Sequence, residues 1–209
     1  IVANGPELEE ELANANFSLD YLGQARMLYT LAGELEGKGR TEDDFAFHRA
    51  ERDFENLLLI EQPNVHFGDV IVRSVLFDTF YLLQLEALST CSHQRLADIA
   101  VKSAKEIRYH LRHGSKWLIR LGDGTEESHR RSQVALDGLW QFSGEMFAGD
   151  AVDDTVREQY AGPDLHALQA NWARDIAAVA AEATLSLPGE QWMAGGGRDG
   201  RHTEAFGFL

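Results

Sequence analysis

The chain has 209 residues, 44% hydrophobic and 25% charged, which suits about one folded domain and excludes a disordered or collagen-like polymer. Nineteen basic against 34 acidic residues give a formal net charge of −15, which repels phosphate polymers and anionic headgroups, so neither nucleic acid nor a membrane surface is an expected partner. A single cysteine, Cys91, forms no internal disulfide and is too few for a cysteine zinc site. The opening residues show no signal-peptide pattern, and a cytoplasmic protein is expected.

Gly5-Pro6 followed by Glu7, Glu9, Glu10 and Glu11 predicts a helix start, because proline fits the first turn and carboxylates fit the positive end of the helix dipole. Leu8, Leu12, Ala15, Leu19 and Leu22 recur at steps of three and four, and the pattern runs to Leu35 before Gly37 and Gly39 interrupt it. Thr41 with Asp44 three residues on has the form of a capping box and predicts a second helix through Phe45, Phe54 and Leu57 to Ile60, ended by Pro63. From Phe67 to Ser89 apolar residues occupy all sides of the helical wheel, as in a helix central to a bundle.

A fourth helix, about His93 to Leu121, carries Ile99, Ser103, Ile107, Leu111, Gly114, Leu118 and Leu121 on one face and basic residues on the other. A fifth is predicted over Thr125 to Phe147, and a sixth from Pro163-Asp164 to Leu185. No alternating β pattern and no solenoid repeat occurs. The expectation is an all-α bundle of about six helices over residues 1–187, with the glycine-rich tail 188–209 packed on it.

A bundle with internal carboxylates raises the question of a ferritin-like di-iron centre, which takes a carboxylate from each of two helices and Glu-x-x-His from each of two others. Only Glu126 and Asp199 are followed by a histidine three residues on, His129 in a polar helix start and His202 in the tail. A complete ligand set is therefore absent, and what remains resembles such a centre with pieces removed. Asp78 sits among apolar residues of the third helix, where a carboxylate is costly unless paired. Glu106 lies about as far beyond the turn into the fourth helix as Asp78 lies before it, so the two are expected to meet and to share a proton or a cation such as Lys102. Tyr81 and Tyr109 stand at the third position after them, where a ferritin-like protein would place histidine.

Asp20 in helix one and Glu51 or Glu55 in helix two are further inward candidates, giving the vestigial set Asp20, Glu51, Asp78, Glu106 and His110, without a metal or a catalytic residue. Glu106, His110 and His113 also form a row that could hold one zinc or iron, although helical histidines are more often simple hydrogen-bonding groups. Gly195, Gly197 and Gly200 match a dinucleotide-binding string, but no strand precedes it and no helix start follows. Lys105, Arg108, Arg112, Lys116 and Arg120 form a ridge along the fourth helix, with Trp117 beside it. The ridge is either a solvated face or a docking strip for an acidic partner or anionic ligand.

Three separated strings carry a family resemblance: Leu19-Asp20-Tyr21-Leu22-Gly23-Gln24-Ala25-Arg26, Asn56-Leu57-Leu58-Leu59-Ile60-Glu61-Gln62-Pro63-Asn64, and Lys105-Glu106-Ile107-Arg108-Tyr109-His110-Leu111-Arg112. With Trp117-Leu118, Arg120-Leu121-Gly122 and Gly200 with His202-Thr203-Glu204, they resemble the phenylacetic acid degradation protein C family, the C subunits of bacterial phenylacetyl-coenzyme A epoxidase, from about Gly5 to Gly207. The resemblance implies that family chains start earlier, with an additional helix, and continue past Leu209, so that this chain is expected to be trimmed at both ends. The resemblance implies a ferritin-like fold and a structural role, without cofactor, beside a homologous catalytic A subunit that carries the di-iron centre. Other epoxidase subunits and a second copy of the chain are further implied partners. Two readings from other classes stand beside it: an independent ferritin-like di-iron or mononuclear oxidase using Asp20, Asp78, Glu106 and His110, and a plain interaction module.

Overall fold

A computed structural model describes residues 5–208. Among them run eight α-helices: α1 (Leu8–Glu36), α2 (Glu42–Phe47), α3 (Leu58–Glu61), α4 (Phe67–Leu88), α5 (Gln94–Gly122), α6 (Glu126–Trp140), α7 (Ala151–Tyr160) and α8 (Leu165–Glu182), with four short 3-10 turns and no strand. The architecture is all-α and consistent with a ferritin-like helical bundle. None of the described helices is long and apolar enough to cross a membrane.

The apolar residues all round α4 place it at the centre, against α5, α6 and α8. Its Val72, Val75, Leu76 and Phe80 form a dry core with Leu59, Leu118, Leu136, Phe147, Trp172 and Ile176, each buried side chain of that size contributing about 1.5–3 kcal/mol. The Trp172 indole packs on Trp140 and Phe147 and donates to the Leu76 carbonyl at 2.9 Å, so its one polar atom is not stranded in the core.

α1 ends as its sequence predicts, on Gly37 in the left-handed region (φ 67°), whose N–H closes on the Gly33 carbonyl. Its periodic leucines do not face the core, however. Leu8, Leu12, Leu19 and Leu22 are 58–71% exposed, whereas Asn14, Phe17, Gln24 and Leu31 are buried. α1 packs chiefly on α5 and α2, and it does so with the polar and aromatic side of its wheel.

The predicted second helix is broken. α2 keeps its capping box on Thr41 and Asp44, but Ala50, Phe54 and Leu57 are extended. Side chains compete there for the backbone donors: Asp53 accepts from the Ala50 N–H at 3.0 Å and the buried Glu145 accepts from the Leu58 N–H at 2.8 Å. The predicted fifth helix stops at Trp140 and resumes as a 3-10 turn, Gly144–Phe147. α7 has no counterpart in the prediction: nearly all of its residues are exposed and its apolar row is only Val152, Val156 and Tyr160; Asp150 caps its first turn by accepting from Val152 and Asp153. In the tail, Gly196 and Gly197 donate their N–H groups to Glu145 at 2.8 and 2.7 Å. A Cβ on Gly197 would stand 2.2 Å from the Asn56 carbonyl oxygen, so only glycine fits there.

Candidate functional site

Between α1, α4 and α5 lies a polar layer. α5 turns Ser103, Ile107, His110 and Gly114 inward, α4 contributes Asp78, and α1 closes the layer with Asn14, Phe17, Tyr21 and Gln24. Gly114 permits the close approach of α4, since a Cβ there would lie 3.2 Å from a methyl of Val75.

Asp78 is 1% exposed. Burial pushes its carboxyl up to about 7, against the opposing effect of the Tyr21 hydroxyl, which donates to its Oδ1. The same burial and the neighbouring carboxylate raise the Tyr21 hydroxyl well above its ordinary value. Tyr81 is pushed up to about 12 by burial and then by the charges of Glu106 and Asp78. Glu106 accepts from the Gln24 amide at 2.8 Å. His110, buried to 2% exposure, meets Asp20 through Nε2 at 2.9 Å; burial lowers its pKa and the Asp20 contact resists that. His113 meets Glu10 at 2.9 Å. The Phe17 ring is wedged between these histidines, 4.2 Å from His110 and 5.2 Å from His113. A cavity of about 10 Å³, lined by Asn14, Tyr21, Asp78, His110 and others, remains in the layer, room for about one water molecule.

The structure thus brings Asp20, Asp78, Glu106 and His110 into one layer, in which α1 supplies the partner of each of the other three: Tyr21 to Asp78, Gln24 to Glu106 and Asp20 itself to His110. Asp78 and Glu106 were expected to meet; instead Asp78 is bonded by Tyr21 and Glu106 by Gln24. Lys102 approaches the sulfur of Met27 at 3.8 Å. Both departures have one cause: side chains on the polar side of α1, which packs on α5, reach across to the carboxylates of α4 and α5 and bond them. Glu51 is exposed in the 3-10 turn Glu51–Asp53 and Glu55 is exposed after it, because the break in the second helix swings both outward. The row Glu106, His110 and His113 engages three separate α1 residues. Among the described residues no three His, Cys, Asp or Glu gather as a metal-ligand set. The residues present therefore do not fit a di-iron centre, and the layer is a hydrogen-bond network in which Asn14 Nδ2, Gln24 Oε1, Ser103 Oγ and His110 Nδ1 are buried without a protein partner.

Two buried glutamates were missed in the sequence. Glu61, 2% exposed, accepts from Asn56 at 2.7 Å, from Thr203 N–H and Oγ at 2.8 and 2.9 Å, and meets His202 Nδ1 at 2.7 Å. Burial alone would raise its pKa, but these bonds prevail and hold it below the ordinary carboxylate range. Glu145 is clamped by the three N–H groups of Leu58, Gly196 and Gly197. The signal was present in part: Asn56 and Glu61 lie in one of the three strings, and His202-Thr203 lie in the tail motif. Nothing in either string says that they touch across 141 residues.

The ridge residues Lys105, Arg108, Arg112, Lys116 and Arg120 are all exposed. Arg108 pairs with Glu86 at 2.7 Å, Arg112 lies over the Tyr109 ring and Arg120 over the Trp117 ring. Trp117 is partly buried against Phe67.

Over residues 1–209 the chain matches the family model described as phenylacetic acid catabolic protein. It is 44% identical over 204 residues to the C subunit of 1,2-phenylacetyl-CoA epoxidase from Escherichia coli strain K12, an alignment that covers 98% of this chain and 82% of that protein.

Proposed function

The chain belongs to the phenylacetic acid catabolic protein family, and from that premise we propose that it is the structural C-type subunit of a phenylacetyl-CoA epoxidase, non-catalytic itself and bracing a homologous A-type subunit that holds the di-iron centre. The observation that carries this reading is the near end-to-end likeness to an epoxidase C subunit. The geometry supports it, since Asp78 and Glu106 accept from the α1 side chains Tyr21 and Gln24 and His110 meets Asp20 of α1 through Nε2. Such a layer holds position and does not open a coordination site. The di-iron group supplies oxygen activation in the A-type partner; the residues of this chain shape and stabilise the surface on which that partner rests.

Reconstitution tests the reading. The purified chain, loaded with iron under anaerobic conditions, should retain no stoichiometric metal and turn over no phenylacetyl-CoA. The same chain added to the A-type subunit and an electron-donating reductase should support epoxidation. Two irons per chain with a di-iron spectrum would replace this reading by the independent oxidase built on Asp20, Asp78, Glu106 and His110. Epoxidation at full rate with the chain omitted would remove the accessory role.

A further inference from the structure

We infer that the cavity between α1, α4 and α5 is a binding site for one water molecule, which joins Asn14, His110 and Asp78 and fixes where these side chains carry their hydrogens. The site belongs to this chain alone and stands apart from the subunit reading above. Of the four polar atoms buried in the layer without a protein partner, Asn14 Nδ2 and His110 Nδ1 belong to residues that line the cavity. Asn14 is 3% exposed and His110 2%, so bulk solvent serves neither group, and an unmet donor or acceptor at that depth forfeits its hydration with nothing in return. Turning the Asn14 amide over would present its oxygen in place of its nitrogen and leave the need for a partner unchanged. Asp78 lines the same cavity. Its Oδ1 accepts from the Tyr21 hydroxyl, and its Oδ2 has no protein partner among the described residues.

Size and hydrogen count narrow the ligand. About 10 Å³ admits a single water and no larger molecule, and among the described residues no metal-ligand set gathers. Nε2 of His110 faces the Asp20 carboxylate at 2.9 Å. A carboxylate only accepts, so on the neutral ring that burial favours, Nε2 carries the hydrogen and Nδ1 is left as an acceptor. Burial also keeps Asp78 protonated up to about 7, and with Oδ1 accepting from Tyr21 the hydrogen sits on Oδ2. The water then accepts from Asn14 Nδ2 and Asp78 Oδ2 and donates to His110 Nδ1, three bonds of the two to four that a buried water makes. Because the Asp20 side chain is 40% exposed, the water completes a line of hydrogen bonds from the solvent edge at Asp20 through His110 to Asp78 and Tyr21.

The test uses the full chain with ¹⁵N-labelled histidine and asparagine at about pH 6.5, where His110 is neutral and Asp78 protonated. A long-lived water should cross-relax with the Asn14 side-chain amide, and a crystal structure should show one oxygen in the cavity. The His110 nitrogens should report the Nε2–H tautomer, with Nδ1 accepting. Asn14→Leu keeps the size and removes one of the three bonds, so the water's residence time should fall about 10-fold. Asp78→Asn keeps a donor toward the cavity and should retain the water. If Asn14→Leu fails to fold, the wild-type spectra and density decide. A dry cavity, or Asn14 bonded directly to His110, would overturn the site. So would a water that Asn14→Leu leaves unchanged, or a hydrogen on His110 Nδ1, because the water would then not be held by these atoms in these roles.

Discussion

The two sides of α4 are held by different chemistry. Toward α6 and α8 it packs into a dry core of Leu76, Phe80, Leu136, Phe147, Trp172 and Ile176, where shape is the requirement and nearly any loss of volume is felt. Toward α1 and α5 it contributes Asp78 to the layer of Tyr21, Gln24, Glu106 and His110, where hydrogen bonds to the carboxylates set the requirement, although Gln24 Oε1, Ser103 Oγ and His110 Nδ1 are buried there without a protein partner. Burial of apolar area stabilises the first side outright. On the second side, hydrogen bonds mainly offset the desolvation that burial imposes, and the net gain per bond is only about 1 kcal/mol. What that side provides is a defined setting of α1 on α5, because each carboxylate accepts from one particular donor.

The largest effect should come from the dry side. Trp172→Ala removes a buried indole and its bond to Leu76, and it should cost about 3–5 kcal/mol, measured by urea denaturation. A cost under about 1 kcal/mol would mean that the core is far looser than its packing.

Next, the polar side should show itself through pH. With its folded pKa raised to about 7 and an unfolded value near 3.9, Asp78 keeps a proton in the native state that the unfolded chain releases between about pH 4 and 7. Stability from this group is present at low pH and lost as pH rises through that window, by as much as about 4 kcal/mol. His110 acts in the opposite sense: its lowered pKa makes stability fall as pH drops below its unfolded value. Asp78→Asn should be indistinguishable from wild type near pH 4 and progressively more stable up to pH 8. Parallel stability curves for the two proteins would show that Asp78 is ionised and satisfied.

The difference between the two sides also decides what could be read from sequence. The all-round apolar pattern of Phe67 to Ser89 placed α4 at the centre, and the inward face of α5 followed from Ile107, Gly114 and Leu118, because hydrophobic periodicity reports area burial directly. The same rule applied to α1 finds the helix, yet its apolar side faces outward, for periodicity does not say what covers a face. Asp78 was legible from its apolar setting. Its partner was not, since Tyr21 lies 57 residues away and reaches it only because α1 packs on α5 with its polar side. The break after Phe47 and the roles of Glu61 and Glu145 were legible only in part: Glu145 is held by the N–H groups of Leu58, Gly196 and Gly197 and Glu61 by His202 and Thr203, segments far away in sequence that no local propensity encodes.

A smaller effect is expected where the tail meets the bundle. Glu145→Gln keeps the shape but turns an amide N–H₂ toward backbone donors that now point at a carboxylate oxygen, and it should cost about 2 kcal/mol. Hydrogen exchange should show the loss first at Gly196 and Gly197 and at Leu58, with the dry core still protected. Uniform loss across the molecule would mean that the tail and core unfold as one unit.

The smallest effect tests the sharpest contrast within one residue type. Leu76 and Leu19 are both helical leucines, 1% and 64% exposed. Leu76→Ala should cost about 2–5 kcal/mol, while Leu19→Gln in the isolated chain should change stability by less than about 0.5 kcal/mol, since Gln and Leu have similar helix propensities and little surface is uncovered. If Leu19→Gln destabilised the isolated chain as a core substitution does, the outward row would already be covered within this protein's own fold, and the contrast between the two faces of α1 would disappear. A neutral result would show that Leu19 adds nothing to the packing of these residues, and that the two faces of α1 contribute unequally to the bundle.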